Sequence, residues 1–265
     1  MGVIRPTFEE YPNRLSAENV ITYVVKDESF RYSAEDVMNY FDDKPIHSLL
    51  LINPDNPSGN FIPIDGVHKL SEWCMKKNIR FILDESFVDF SVGYQLNSFL
   101  HNDLLEKYPH MCVIKSISKS YGVPGLRLGI LCSADSALIS KIKKQVSIWN
   151  INSFAEFFMQ IYPKYREDYQ RACDQFIQAR EDFEVELKQI PFIKVMPSQA
   201  NYFFLEVLPP YKPIELCATL LDKYNILASA CIAKKGIEPN RYMRIAVRNH
   251  GDNAKFIQAM KEIIY

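Results

Sequence analysis

Short apolar runs alternate with amphipathic segments along the first half of the chain. Continuous apolar runs predict buried strands at 47–54, 79–87, 110–118 and 126–133. Between the first two of these, the segment 64–78 places Val67, Leu70 and Cys74 on one face of a helix. Alternating strands and helices, with strands that are apolar throughout, predict an α/β fold whose mostly parallel sheet is sandwiched by helices.

The pattern changes after about residue 135, where the chain becomes helical as far as about residue 189. Within this region, apolar and long side chains recur at alternating four- and three-residue spacing and predict one long amphipathic helix: Tyr169, Cys173, Phe176, Arg180, Phe183 and Leu187. Strand-like segments follow at 201–207 and 243–247, with helices near 214–224 and from about 252. The sequence therefore predicts a large domain over 1–165 and a smaller α+β domain over 166–265.

Composition narrows the classes of function. The chain has 265 residues, 48% of them hydrophobic, and a net charge of −1 with both signs interspersed, which argues against nucleic acid or an anionic membrane as partner. No apolar run is long enough to span a bilayer, and the five histidines are scattered, so neither a membrane partner nor a metal site is predicted. Six widely spaced cysteines predict buried free thiols in a reducing cytoplasm.

Polar residues follow three of the predicted strands at the point where each strand ends. They are Asn53, Asp84 and the segment 116–119. In parallel α/β sheets, ligands bind at the carboxyl ends of the strands. The turn after the first of these strands, NPDNPSGN at 53–60, is either an ordinary loop or a rigid support that aims the amide of Asn56 into the strand-end crevice.

The residue types at these strand ends suggest a particular chemistry. Asp84 ends an apolar run, where a carboxylate is costly unless it is paired, so it either caps or pairs structurally or holds a cationic ligand group. Two hydroxyls and a guanidinium that could grip a phosphate lie around Lys119: Ser116, Ser118 and Arg127. Lys119 is then either a surface lysine or the partner of a phosphorylated aldehyde.

Four motifs occur in a fixed order along the chain. Asn56 lies in NPDNPSG and Asp84 in LDESF, while Lys119 lies in SISKSYG with Arg127 eight residues later. In these motifs the sequence resembles the fold-type-I, class I/II aminotransferases that use pyridoxal 5′-phosphate. It is most similar to the branch containing histidinol-phosphate aminotransferase and threonine-phosphate decarboxylase. The resemblance implies pyridoxal phosphate as cofactor, amino-acid and 2-oxo-acid substrates, and a homodimer.

The resemblance also implies roles for individual residues. Lys119 would carry the cofactor covalently and then move a proton on the substrate, and Asp84 would pair with the ring nitrogen. Asn56 would donate to the ring oxygen, and Phe8, in RPTFEEY, would stack on the ring. The phosphate would be held by Ser116, Ser118 and Arg127.

Two arginines near the end of the chain are candidates for binding substrate. Arg244, in RYMRIAVR, falls where the family binds the substrate α-carboxylate, although a strand arginine facing solvent is the alternative. Arg248 shares its strand face and would meet a second anionic group or simply be solvated, the second being favoured. Asn201 matches an asparagine of this branch without a firm role.

The sequence departs from the family pattern at two points. Phe87 stands where most aminotransferases have a tyrosine that donates to the ring oxygen, which keeps decarboxylation open beside transamination. The resemblance also implies that the family's N-terminal segment and the rest of its phosphate site precede this stretch, so that the chain looks like the C-terminal two-thirds of an aminotransferase. Three functions therefore stay open: an aminotransferase region, a decarboxylase of a phosphorylated amino acid, or a domain that keeps the site without catalysis.

Overall fold

A six-stranded sheet forms the centre of the first half of the chain. The computed structural model describes residues 1–263. The strands are β1 (Gly2–Arg5), β2 (Ile21–Val24), β3 (Ser48–Ile52), β4 (Arg80–Asp84), β5 (Met111–Ser116) and β6 (Gly129–Cys132). Their order is β2-β1-β3-β4-β5-β6, with every neighbouring pair parallel except β5 and β6.

A second, smaller sheet is built from the last third of the chain. Its strands are β7 (Ile193–Val195), β8 (Tyr202–Val207), β9 (Ser229–Ala230) and β10 (Tyr242–Ala246). They lie in the order β7-β8-β10-β9, and all three pairs are antiparallel. Antiparallel strands need no long crossover connection, so short loops and single helices can join them.

Helices connect and cover both sheets. They are α1 (Glu10–Asn13), α2 (Ala34–Phe41), α3 (Ile64–Lys76), α4 (Tyr94–Asn97), α5 (Asn102–Lys107), α6 (Ile117–Ser120), α7 (Ser136–Lys143), α8 (Ser153–Ile161), α9 (Arg166–Leu187), α10 (Pro213–Tyr224) and α11 (His250–Ile263). Helix α2 begins with a full capping box, in which Ser33 accepts from the backbone of Asp36 and the Asp36 carboxylate accepts from the backbone of Ser33.

Each sheet has its own hydrophobic core. Leu49, Leu51 and Phe81 are buried in the first core, where the apolar strands meet the apolar faces of α2 and α3. Phe203 and Met243 are buried in the second, against the α9 and α11 helices. Burial of side chains of this size contributes about 1.5–3 kcal/mol each, so the continuous apolar runs fix which segments become central strands.

The α/β fold class with a mostly parallel sheet and a smaller α+β part is confirmed. The predicted strands at 47–54, 79–87, 110–118 and 126–133 are present in shorter form, and the long amphipathic helix is α9. Strands β1, β2, β7 and β9, which have two to four residues each, were not predicted. The division at 165/166 stays a prediction; α9 begins at Arg166.

The predicted free thiols agree with the structure, in which all six cysteines are unpaired and four of them are buried. Among the residues that the structure describes, no helix combines the length and the apolar character needed to cross a bilayer. The cytoplasmic location stays a prediction.

Candidate active site

The register of the parallel strands brings the predicted polar strand ends together. Asp84, the last residue of β4, is paired with Ile52 on one side and with Ile114 on the other. Asn53 follows β3 directly, and its backbone N–H donates to the Asp84 carbonyl at 2.9 Å. The carboxyl ends of β3, β4 and β5 therefore form one edge, as ligand sites in such sheets require.

A cavity of about 350 Å³ opens at this edge. All seven residues predicted to bind the cofactor line it: Phe8, Asn56, Asp84, Ser116, Ser118, Lys119 and Arg127. The same cavity is lined by Tyr11 and Ser86, which were not predicted. The structure thus collects the sequence candidates in one place, while their individual roles stay predictions.

Asp84 is buried and held by hydrogen bonds from two directions. The Tyr11 hydroxyl donates to Oδ2 at 2.7 Å, and the Ser86 backbone N–H donates to Oδ1 at 2.8 Å, joined by the Ser86 hydroxyl. Burial, and then the Asp84 charge, raises the pKa of Tyr11, so its hydroxyl stays a donor. Ser86 Oγ also accepts from the Ser116 N–H at 3.0 Å, which ties this carboxylate to β5.

Tyr11 is the site residue that sequence analysis could have found. It follows Phe8 by three residues in TFEEY and lies in the short α1 helix, whereas Phe8 precedes that helix; both line the cavity. Their rings meet edge to face, with centroids 6.2 Å apart. Two aromatic residues on either side of Glu9 and Glu10 were therefore a usable signal.

The turn at 53–60 is held in place by hydrogen bonds that its own side chains make. Asn53 donates to the Ile62 carbonyl at 2.9 Å and accepts from the Ile62 N–H at 2.8 Å. Asp55 is fully buried and accepts from the Ser58 hydroxyl, and burial raises the pKa of Asp55 to about 7. These bonds fix the backbone next to Asn56, which is itself buried.

The second sheet also holds this turn. Tyr202 on β8 donates through its hydroxyl to the Asp55 carbonyl at 2.6 Å. Gly59 has φ +76°, and a Cβ there would meet the Ser198 Oγ at 2.3 Å. Glycine is therefore needed at this position both for its backbone angle and for the close approach of the two chain segments.

The two lysines near the end of β5 occupy different environments. Lys115 is buried in the sheet, where its Nζ pairs with the Asp89 carboxylate at 2.7 Å. The other Asp89 oxygen accepts from the Ser120 hydroxyl at 2.6 Å. Lys119 lies between Lys115 and Ser120 in sequence but is exposed to the cavity, with Nζ 5.9 Å from the centroid of the Phe87 ring. Asp89 thus holds the chain on both sides of Lys119.

Hydroxyl and guanidinium groups line another part of the same cavity. Ser116 is the last residue of β5, and Ser118 lies in α6 together with Lys119. Arg127 has a left-handed backbone, with φ +56°, and its guanidinium donates to the Pro124 carbonyl at 3.1 Å. A guanidinium carries five N–H donors, so most of its donors stay available to a ligand in the cavity.

A second cavity, of about 700 Å³, shares four lining residues with the first: Phe8, Asn56, Phe87 and Lys119. Arg244 lines it, donating to Asn56 Oδ1 at 2.6 Å while its guanidinium lies 5.0 Å from the centroid of the Tyr202 ring. Asn201 lines it as well. Arg248, by contrast, is exposed and pairs with Asp252, which agrees with the favoured interpretation of this residue as solvated.

The donor set of the first cavity fits pyridoxal phosphate. A carboxylate (Asp84) suits a protonated ring nitrogen, an aromatic side chain (Phe8) suits the flat ring, and a lysine (Lys119) suits an aldehyde. Two hydroxyls and a guanidinium suit a phosphate. All of these line one space of about 350 Å³.

Comparison with known proteins agrees with this chemistry. The family model "Aminotransferase class I and II" matches residues 3–263. A CMP-5′-(3-aminopropyl)phosphonate synthase of Streptomyces rubellomurinus is 30% identical over 98% of this chain and 41% of its own length. An L-serine phosphate decarboxylase of Campylobacter jejuni is 30% identical over 97% of this chain and 67% of its own length. The chain thus spans about two fifths of the first relative and two thirds of the second.

Solved structures show the same fold. A decarboxylase from Sulfurospirillum multivorans superposes with a TM-score of 0.90 at 27% identity, covering 100% of this chain and 75% of that one. A histidinol-phosphate aminotransferase from Clostridium acetobutylicum gives 0.87 at 26% identity, covering 99% and 77%. The resemblance to this branch is confirmed, and the family uses pyridoxal phosphate as its cofactor. The chain belongs to the class I and II aminotransferase family of fold-type-I pyridoxal-phosphate enzymes.

Proposed function

We propose that this chain forms the catalytic region of a pyridoxal-phosphate-dependent enzyme that acts at the α-carbon of an amino acid, with decarboxylation as its reaction. The convergence of Asp84, Lys119 and Arg244 on two cavities with shared walls carries the first part of the proposal. Similarity to decarboxylases, at 30% identity in one relative and a TM-score of 0.90 in one structure, supports the second.

Each side chain that lines the first cavity would have a separate role in this reaction. Bound pyridoxal phosphate supplies an electron sink for the pair released when a bond to the α-carbon breaks. Asp84, fixed by Tyr11, would hold a positive charge on the ring nitrogen and so keep the sink effective. Phe8 would cover the ring and exclude water from one side. The phosphate would be bound by Ser116, Ser118 and Arg127.

Lys119 and Arg244 act on the substrate. Lys119 would carry the cofactor between turnovers and, once displaced by the substrate amine, would deliver a proton to the α-carbon from which CO₂ has left. Arg244 would bind the α-carboxylate through its guanidinium fork before the bond breaks. Asn56, which accepts from Arg244 at 2.6 Å, would set the direction of that fork.

Transamination is the second candidate, since the same residues serve both reactions. Similarity to a histidinol-phosphate aminotransferase supports it. In that case Lys119 would move the proton from the α-carbon to the cofactor, and a 2-oxo acid would accept the amino group. Phe87 gives weak support to decarboxylation. It lines the cavity without a hydroxyl, where most aminotransferases have a tyrosine that donates to the ring oxygen. A homodimer, and a domain that keeps the site without catalysis, stay predictions.

The test is covalent capture of the cofactor. The chain is incubated with pyridoxal phosphate, reduced with borohydride and digested, and the modified peptide is sequenced by mass spectrometry. We expect the cofactor on Lys119 and none in Lys119→Arg. Lys115 is the internal control, since it lies four residues away and is buried in an ion pair.

The loaded chain is then given an amino acid, with and without 2-oxoglutarate. Release of CO₂ without a 2-oxo acid supports decarboxylation, whereas formation of glutamate only with 2-oxoglutarate supports transamination. Failure of Lys119 to capture the cofactor at saturating concentration would refute the cofactor role and favour the non-catalytic domain.

A further inference from the structure

The second cavity carries an excess of positive charge. Within the described residues, twelve side chains line it, of which three are cations and none is Asp or Glu. The cations are Lys119, Arg244 and Lys234. The proposed function uses the first two, for the cofactor and for the substrate α-carboxylate. Lys234 is left without a role, and no motif of the sequence singled it out.

Lys234 is placed in the cavity wall by contacts with the first half of the chain. It lies in the loop between β9 and β10, and its Nζ donates to the Thr7 carbonyl at 2.7 Å. Gly236, two residues later, has φ +90°, and a Cβ there would meet the Arg5 Cβ at 2.9 Å. The loop is therefore packed against the end of β1 rather than free in solvent.

The charge of Lys234 is only partly compensated by the protein. Two carboxyl groups act on it from a distance without a hydrogen bond to its Nζ: Glu9, whose Oε2 pairs with Arg5 at 3.1 Å, and Asp55, which accepts from Ser58. Burial lowers the pKa of Lys234, and the nearby Arg244 lowers it further. An ammonium has three donors and one is used on Thr7, so two remain for a ligand.

We propose that Lys234 binds a second anionic group of the substrate, at the end of its side chain. The substrate class is then an α-amino acid whose side chain ends in a phosphate, a phosphonate or a carboxylate, with Arg244 on the α-carboxylate and Lys234 on the distal anion. This inference rests on the proposed function for its assignment of Arg244. A substrate with two anionic groups would lie between Arg244 and Lys234 and relieve the repulsion between these two cations. A substrate with a neutral side chain would not.

The test measures binding by isothermal titration calorimetry, to the chain with and without pyridoxal phosphate. The ligands are O-phospho-L-serine, L-glutamate and L-serine, which share the α-carboxylate and differ at the distal end. Lys234→Gln removes the charge but keeps a donor for the Thr7 carbonyl, and Lys234→Arg keeps the charge. Lys235→Met is the matched control, since it removes an exposed charge from the same loop.

We expect the wild-type chain to bind a distal anion about tenfold or more tighter than L-serine, as charge-assisted hydrogen bonds allow. Lys234→Gln should abolish this preference while changing L-serine affinity by less than about twofold, and Lys234→Arg should retain most of it. Lys235→Met should behave as wild type. The comparison of O-phospho-L-serine with L-glutamate identifies which anion the site prefers.

Three results would overturn the inference. Equal losses for all three ligands in Lys234→Gln would mean that Lys234 shares the α-carboxylate or only holds Thr7. Equal binding of all ligands by the wild type, or an equal effect of Lys235→Met, would remove the site altogether. If Lys119 fails to capture the cofactor and the cofactor-free chain still shows a preference that depends on Lys234, the proposed function falls and the anion site stands.

Discussion

The buried pair between Lys115 and Asp89 gives the sharpest prediction for stability. Both side chains are less than a tenth exposed, at 7% and 9%, and their charged atoms are 2.7 Å apart. Asp89→Asn keeps the shape of the side chain and an acceptor for Ser120 but removes the charge. Lys115 is then a buried cation without a counter-charge.

The expected loss of stability follows from leaving the Lys115 charge buried and unpaired. Removing one partner of a buried ion pair costs about 3–5 kcal/mol, whereas an exposed pair contributes about 0–1 kcal/mol. The exposed pair of Lys69 and Glu35, with side chains 60% and 52% exposed, is the matched control. In urea unfolding we expect Asp89→Asn to lower the midpoint concentration by about 1–2 M. Lys69→Met should shift the midpoint by only about a few tenths of that amount.

A double variant separates the charge from the packing. Lys115→Met with Asp89→Asn removes both charges and keeps the acceptor for Ser120, so it should be more stable than Asp89→Asn alone. Two results would refute the reasoning. One is that the losses in free energy of unfolding of Asp89→Asn and Lys115→Met simply add in the double variant, and the other is that Asp89→Asn loses no more than Lys69→Met. The circular dichroism spectrum of each variant shows whether the fold is retained.

Three further variants test other contacts by the free energy of unfolding in urea. Tyr11→Phe removes a donor to the buried Asp84 carboxylate and should cost about 1.5–3 kcal/mol; no loss would mean that this bond does not form in solution. Gly59→Ala should cost more than the about 1–2 kcal/mol expected for Gly93→Ala, because both have positive φ but only Gly59 faces a close neighbour; equal losses would contradict this. Burial raises the pKa of Asp55 from 3.8 to about 7, so the folded chain binds the proton more tightly and its stability falls as the pH rises through that window. Asp55→Asn should flatten this fall between about pH 4 and about pH 7, and an unchanged slope would assign it to other groups.

The central sheet and the candidate site were largely accessible from sequence because their signals are local. A run of apolar residues predicts a buried strand wherever it lies, and a polar residue that ends the run marks the strand end. Asp84 and Lys119 were placed at strand ends in this way, together with the turn around Asn56, whereas Phe8 and Arg244 were named only through the resemblance to a family. The two-residue strand β9 gave no such signal because it is shorter than the pattern that would reveal it.

The sequence by itself determined where the longer apolar strands lie along the chain, the residue types at their ends and the family to which these motifs point. Tertiary structure decided which of those residues meet. Tyr11 reaches Asp84 across 73 residues, Arg244 reaches Asn56 across 188, and Lys234 reaches Thr7 across 227. In sequence, Lys234 and Lys235 are two adjacent lysines of a polar loop. Only the packing of that loop against the end of β1 separates a cation in the cavity wall from one in solvent, because such contacts depend on how distant strands are arranged and not on the local pattern.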